Sequence, residues 1–101
     1  MISPPVHIIL ADDHDLVRAG IRNALRDLPG LEVAAEVGNG AELRASLAQF
    51  PAELLFMDVN MPGFDPLAEI HEIRLAYPNL RILVVSAYDD DVYVQGMLSA
   101  G

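Results

Sequence analysis

Three aspartates in this chain directly follow apolar runs that have the length of a β-strand. Asp12 and Asp13 come after Val6 to Ala11, and Asp58 comes after Leu54 to Met57. In an open parallel sheet the carboxyl ends of the strands form the binding crevice, so neighbouring strands would gather these carboxylates in one pocket, where their repulsion requires protons or a cation. A set of oxygen ligands, with neither a histidine nor a thiolate expected in it, favours a hard ion such as Mg²⁺. The pattern therefore indicates phosphoryl-transfer chemistry.

Each acidic residue suits a different part of that chemistry. Asp58 stands alone at its strand end and is the best placed to act as a nucleophile that forms an acyl phosphate. Asp12 and Asp13 are adjacent and better suited to holding metal. Ser86 ends a fourth apolar run and could donate a hydrogen bond to a phosphoryl oxygen. Strand-end aspartates also cap the helices that follow them, and this alternative stays open for Asp12 or Asp13 taken singly.

The elements that must position these residues follow from two alternating periods of hydrophobicity. Strand-like apolar runs alternate with stretches whose apolar residues recur at helical spacing, and Pro or Gly separates several of them. Such alternation specifies an α/β fold, a parallel sheet with helices on both faces. The predicted strands are Val6 to Ala11, Leu31 to Val37, Leu54 to Met57 and Arg81 to Ser86. The predicted helices run from Asp15 to Leu28, from Ala41 to Phe50, from Leu67 to Leu75 and from Asp89 to Leu98.

We expect six apolar residues of helix one to line one face of the helix, which would be its buried side. They are Leu16, Val17, Ile21, Ala24, Leu25 and Leu28.

Composition narrows the classes of partner. The 101 residues predict one domain, and their net charge of −9 argues against direct binding to nucleic acid or to an anionic membrane surface. All six basic residues are arginines, and the chain contains neither lysine nor cysteine. Without cysteine, disulfides and thiolate metal sites are excluded. We expect a cytoplasmic protein with no signal peptide and no transmembrane segment.

Three segments resemble the receiver (CheY-like) domains of bacterial two-component response regulators, and the first is similar to the NarL/LuxR subgroup. They are LADDHDLVRAG at Leu10 to Gly20, MDVNMPGFD at Met57 to Asp65, and VVSAY at Val84 to Tyr88. The resemblance covers the whole chain. It implies a doubly wound, flavodoxin-like sheet in the order 2-1-3-4, where the family normally has 2-1-3-4-5.

The resemblance also implies roles for single residues. Asp58 matches the phosphoacceptor, Asp13 a direct Mg²⁺ ligand, and Asp12 an acidic residue that acts through water. The main-chain carbonyl of Asn60 matches the third protein ligand, and Ser86 matches the switch hydroxyl.

The loop beside the site and one aromatic residue complete the candidate set. Pro62 and Gly63 match the family's loop, while Met61 flanks the site in sequence and is expected to be a packing residue. Tyr88 either reports the switch or is an exposed aromatic on a loop. No zinc site is predicted, because His7, His14 and His71 lie on different elements, and His14 is expected at the start of helix one.

The chain departs from the family pattern in three places. The family's lysine at the end of a fifth strand has no counterpart, so we expect the 101 residues to be an incomplete receiver that is phosphorylated weakly. Pro66 stands where Gly is common but suits a first helical turn. The helix-turn-helix output module expected after such a receiver is absent.

These features predict a phosphoacceptor rather than an enzyme, with a histidine kinase and a second receiver as partners. DNA would be contacted only through the absent output domain. A phosphorylation-independent interaction module is the alternative, favoured by the missing lysine. A metal-dependent phosphohydrolase is disfavoured, because no general base or arginine is placed near the strand ends.

Overall fold

The computed structural model describes residues 5–84, in which strands and helices alternate strictly. In chain order they are β1 (Val6–Ala11), α1 (Asp15–Arg26), β2 (Leu31–Val37), α2 (Gly40–Gln49), β3 (Leu54–Met57), α3 (Pro66–Ala76) and β4 (Arg81–Val84). Several predictions lie outside the described residues. They concern Val85 and Ser86 at the end of strand four, Tyr88, and the helix predicted from Asp89 to Leu98.

All three strand pairings in the described sheet are parallel. The sheet order is β2-β1-β3-β4, which confirms the predicted fold class and strand order. β1 pairs with both β2 and β3, and Ala11 is the register partner of Val37 on one side and Met57 on the other. The carboxyl ends of the three strands are therefore level, and the residues that follow them share one edge.

The sheet buries side chains on both faces because successive residues of β1 point in opposite directions. Ile9 and Ala11 belong to the larger core, with residues of α2, α3 and the loop after β3. Ile8 and Leu10 belong to a second core with Leu25 of α1. Both faces carry helices, as a doubly wound fold requires.

The predicted apolar face of α1 is wrong for Leu16, Val17, Ala24 and Leu28, which are all exposed. Leu16 is 88% exposed and Leu28 is 51% exposed, whereas Leu25 is buried. Leu16 precedes Leu25 by nine residues, which at about 100° per residue places the two on opposite sides of the helix. Leu28 lies beyond Arg26, the last residue of α1.

The starts of α2 and α3 follow from local chemistry. Asn39 caps α2, because its side chain accepts the N–H of Glu42 at 2.8 Å. Pro66 is the first residue of α3, one residue before the predicted start at Leu67, and it suits this position because proline has no N–H to leave unpaired in a first turn. Within residues 5–84, no helix has the length and apolar character needed to cross a bilayer.

At the opposite edge of the sheet, Glu53 ties β3 to β1. Its carboxylate accepts the N–H of His7 at 2.7 Å, while its own N–H donates to the His7 carbonyl at 3.0 Å. The hydrogen bond from the His7 N–H is the main reason that the pKa of Glu53 is lowered.

Glu53 is therefore expected to contribute to stability at neutral pH and to lose that contribution in acid. A carboxylate whose pKa is lower in the folded state stabilises the fold above its unfolded pKa, and this is lost as pH falls through the folded pKa. Urea unfolding should show Glu53→Gln to be less stable than the wild type at about pH 7, with the difference shrinking toward about pH 3. Glu72→Gln is the matched control, because Glu72 is exposed. A Glu53→Gln penalty as large at acidic pH as at neutral pH would contradict the argument.

Candidate functional site

The carboxyl edge of the sheet brings Asp12, Asp13 and Asp58 together. The backbone hydrogen bonds of the sheet continue one residue past the ends of β1 and β3. The Asp12 N–H donates to the Val37 carbonyl at 2.9 Å, and the Asp58 N–H donates to the Ala11 carbonyl at 2.8 Å. One ligand atom from each aspartate and one from His14 lie within 4.8 Å of one another. The sequence predicts this meeting of the three carboxylates, and the structure contains it.

Two of the three carboxylates are almost completely buried. Asp12 is 5% exposed and Asp58 is 3% exposed, whereas Asp13 is exposed. Each buried carboxylate uses one oxygen to close a local turn. Oδ1 of Asp12 accepts the N–H of His14 at 2.8 Å, and Oδ1 of Asp58 accepts the N–H of Asn60 at 3.0 Å. These bonds fix the carboxylates, and Oδ2 of Asp58 is directed toward the cluster.

His14 is a member of the cluster that the sequence analysis placed only at the start of helix one. It is the N-cap residue of α1, without a side-chain capping bond. Nδ1 of its ring lies 3.1 Å from Oδ1 of Asp12, 3.0 Å from Oδ1 of Asp13 and 3.6 Å from Oδ2 of Asp58. The hydrogen bond to Asp12, followed by the charge of Asp13, raises the pKa of His14. In the protonated form, this imidazole is the counter-charge of the three acids.

Arg18 is a second residue missing from the predicted site, and its position shows that the expectation of no arginine near the strand ends was wrong. From the first turns of α1, its guanidinium donates to the Asp12 carbonyl at 2.5 Å and lies 3.3 Å from a Glu36 carboxylate oxygen. It thus joins the β1–α1 connection to β2. A sequence signal exists, because Arg18 lies seven residues before Leu25 and therefore on the same side of the helix, where an arginine is unusual.

The loop beside the site is anchored by Met61, whereas Pro62 and Gly63 are exposed. Met61 is 4% exposed and belongs to the larger core, as its predicted packing role requires. The Pro62 carbonyl accepts the N–H of Gly40 at 2.9 Å, which joins this loop to the start of α2. Gly63 has a φ of +65°, a conformation that favours glycine. Asn60 is exposed, two residues after Asp58.

The donor set of this cluster fits a divalent cation. Three carboxylates supply hard oxygen ligands, and their combined charge exceeds that of one imidazolium. Because Asp12 and Asp58 are shielded from water, their charges need a partner inside the cluster. The residues that are present therefore suit Mg²⁺ or a related ion. Ser86 and Tyr88, the candidate switch residues, lie outside the described part of the chain.

Comparisons with known proteins agree with this architecture. A family model described as response regulator receiver domain matches residues 8–101. The response regulator GacA of Pseudomonas viridiflava is 30% identical over 96 residues, which cover 95% of this chain and 45% of GacA. The chain thus spans less than half the length of this relative.

Solved structures with the same fold include two of the regulator RcsB. The isolated REC domain of RcsB from Salmonella enterica serovar Typhimurium, in the presence of phosphomimetic BeF₃⁻, has a TM-score of 0.87 and 27% identity over 95% of this chain and 72% of that one. A structure of two RcsB dimers bound to two parallel DNAs has a TM-score of 0.88 and 28% identity over 95% of this chain and 49% of that one.

Proposed function

The chain belongs to the family of response regulator receiver domains, and from that premise we propose that Asp58 accepts a phosphoryl group from a histidine kinase. Receiver domains are phosphoacceptors of two-component systems rather than classical enzymes. The observation that supports the proposal most directly is the presence of the Asp12, Asp13 and Asp58 carboxylates within 4.8 Å of one another at the carboxyl edge of the sheet.

The transfer that we propose uses Oδ2 of Asp58 as the nucleophile. Oδ1 is engaged by the Asn60 N–H, so the carboxylate is oriented before a donor arrives. Oδ2 forms a bond to phosphorus as the phosphorus–nitrogen bond of the kinase phosphohistidine breaks, and the departing imidazole keeps the electron pair of that bond. The product is an acyl phosphate on Asp58.

The acidic residues share the task of holding a cation. Asp13, Asp58 and the main-chain carbonyl of Asn60 would hold Mg²⁺ directly, and Asp12 would hold it through water. When bound, the ion neutralises charge on the transferring group and offsets the repulsion among the carboxylates. Arg18 keeps the Asp12 main chain in place through its hydrogen bond to the Asp12 carbonyl.

Phosphorylation would act on an output through a shift of conformational populations. In this proposal Ser86 turns toward the phosphoryl group, and Tyr88 reports the change. The proposed partners are a histidine kinase, a second receiver and, through an output module outside these 101 residues, DNA for the control of transcription in the cytoplasm. RcsB offers a precedent for the last two, since dimers of that protein have been seen bound to DNA.

Acetyl phosphate with Mg²⁺ provides the test of the phosphoacceptor. The full-length protein that contains this chain should gain the mass of one phosphoryl group, and Asp58→Asn should abolish the gain. Asp65→Asn is the matched control, because Asp65 is exposed and its side chain makes no capping bond to α3. Equal labelling of wild type and Asp58→Asn would refute the assignment. No labelling of either, with partner binding intact, would favour a phosphorylation-independent interaction module.

A further inference from the structure

The guanidinium group of Arg18 lies at the point where β1 and β2 end. Its Nη1 donates to the Asp12 carbonyl at 2.5 Å and to the Val37 carbonyl at 3.4 Å. Asp12 directly follows β1, and Val37 is the last residue of β2. The Asp12 N–H donates to the same Val37 carbonyl at 2.9 Å. Both main-chain polar groups of Asp12 are therefore held at this junction, the N–H by the sheet and the carbonyl by Arg18.

The hydrogen bond from Arg18 bears on two of the proposed cation ligands. The Asp12 carbonyl belongs to the planar peptide group that joins Asp12 to Asp13, so fixing its direction fixes the main chain of both residues. Asp12 and Asp13 each contribute an oxygen to the ligand atoms that lie within 4.8 Å of one another. Arg18 therefore holds two acids in position toward Asp58, and it does so through the main chain.

Two acidic residues hold the Arg18 guanidinium in turn. Its Nε lies 3.3 Å from Oε1 of Glu36, and its Nη2 donates to Oδ1 of Asp15 at 2.8 Å. All three guanidinium nitrogens are thus engaged. The side chain of Glu36 is 25% exposed and that of Asp15 is 92% exposed, so water screens the Asp15 contact far more. Glu36 of β2 is therefore the partner that orients Arg18.

We propose that Arg18 and Glu36 are a pair of positioning residues for the cation site, and that Arg18 strengthens the binding of Mg²⁺ although it is itself positively charged. Arg18 fixes the peptide group between Asp12 and Asp13, and Glu36 fixes the guanidinium. The inference rests on the proposed function, because the ion is the one that these aspartates would hold.

Charge and position make opposite predictions for Arg18. A positive side chain near a cation repels it, so by charge alone the loss of Arg18 would tighten binding. The loss of a contact that orients metal ligands weakens binding instead, by about 10- to 100-fold. The repulsion is small here, because Arg22 also donates to Glu36, and the two arginines together with Glu36 and Asp15 carry no net charge. Position should therefore outweigh charge.

Calorimetric titration with Mg²⁺ of the full-length protein that contains this chain separates the two effects. Arg18→Gln removes the charge and should weaken Mg²⁺ binding by about tenfold. Arg18→Lys keeps the charge but replaces three nitrogens with one, and it should weaken binding as well. Arg26→Gln is the matched control, because Arg26 is exposed in the last turn of α1, and it should change the affinity little. Unchanged or tighter binding by Arg18→Gln would overturn the proposal.

Glu36→Gln tests the second member of the pair and leaves Arg18 in place, so it should keep the fold. It should weaken Mg²⁺ binding in the wild-type background. In the Arg18→Lys background it should cause little further loss, because Glu36 acts through the guanidinium. An equal loss in both backgrounds would show that Glu36 acts through its charge alone, and the pairing would be wrong.

Hydrogen exchange in the absence of cations distinguishes positioning from a general loss of stability. In Arg18→Lys the amide of Asp12 should exchange faster than in the wild type, while the amide of Ile9, in the middle of β1, keeps its protection. Equal acceleration at both amides would indicate a structural role only and would contradict the proposal. Failure of the proposed function gives a different result, because wild-type protein that binds Mg²⁺ with the help of this pair but gains no phosphoryl mass on Asp58 would leave the pair in place and remove the phosphoacceptor.

Discussion

Replacing Gly40 with alanine is expected to destabilise the protein by about 1 to 3 kcal/mol and to weaken binding of divalent cations. A Cβ at position 40 would collide with the carbonyl oxygen of Gly63 and lie 2.7 Å from the carbonyl carbon. Both atoms are main chain, so no side chain can rotate away. The loop from Met61 to Gly63 must move instead, which breaks the bond between the Gly40 N–H and the Pro62 carbonyl.

Gly20→Ala is the matched control for this prediction. Gly20 lies within α1, and a Cβ there meets nothing within 4 Å. Glycine in a helix interior costs about 0.5 to 1 kcal/mol relative to alanine, so this variant should be more stable than the wild type. Urea unfolding gives both changes, and titration with Mg²⁺ gives the effect on the site. If Gly40→Ala matched Gly20→Ala in both measurements, the close approach of Gly40 to the loop after β3 would have no energetic importance.

The first three strands were predictable to the residue, because each is a short stretch of continuous or alternating apolar residues with an abrupt end. β1, β2 and β3 begin and end where the sequence places them. Helix limits were less certain, since apolar residues continue past the last helical residue. Leu28 looks like part of the face of α1 but follows its end at Arg26. Leu16 lies at helical spacing from its near neighbours, but over the nine residues to Leu25 the rotation of the helix adds up to about half a turn.

The meeting of the carboxylates was predictable, while the residues that surround them were only partly so. Asp12 and Asp58 follow adjacent strands, and the parallel register brings them to one edge. The ring direction of His14 depends on the turn closed by Oδ1 of Asp12, which no spacing rule describes. The contact of Gly40 with Gly63 joins the start of α2 to the loop after β3, and it follows from packing of the whole fold.

Asp58→Asn is expected to stabilise the protein in the absence of divalent cations, by about 1 to 2 kcal/mol. The change removes one of three carboxylates that lie within 4.8 Å of one another, and at 4% exposure water screens the Asp58 side chain little. Asparagine retains an oxygen to accept the Asn60 N–H. The variant also loses the attraction between Asp58 and His14, but this is the longest of the three His14 contacts, and Asp12 and Asp13 still share that ring.

Saturating Mg²⁺ should reduce or reverse the gain from Asp58→Asn, because an ion that binds the folded state stabilises the protein with more ligands to a greater extent. Urea unfolding with and without Mg²⁺ measures both effects. Asp65→Asn removes an equal charge from an exposed position and should change stability little in either condition. If Asp58→Asn proved less stable than the wild type without cations, attraction to His14 would outweigh repulsion among the acids. The cluster would then be an ion-pair network that stabilises the fold. The idea that the site gives up stability in order to bind a cation and a phosphoryl group would be wrong.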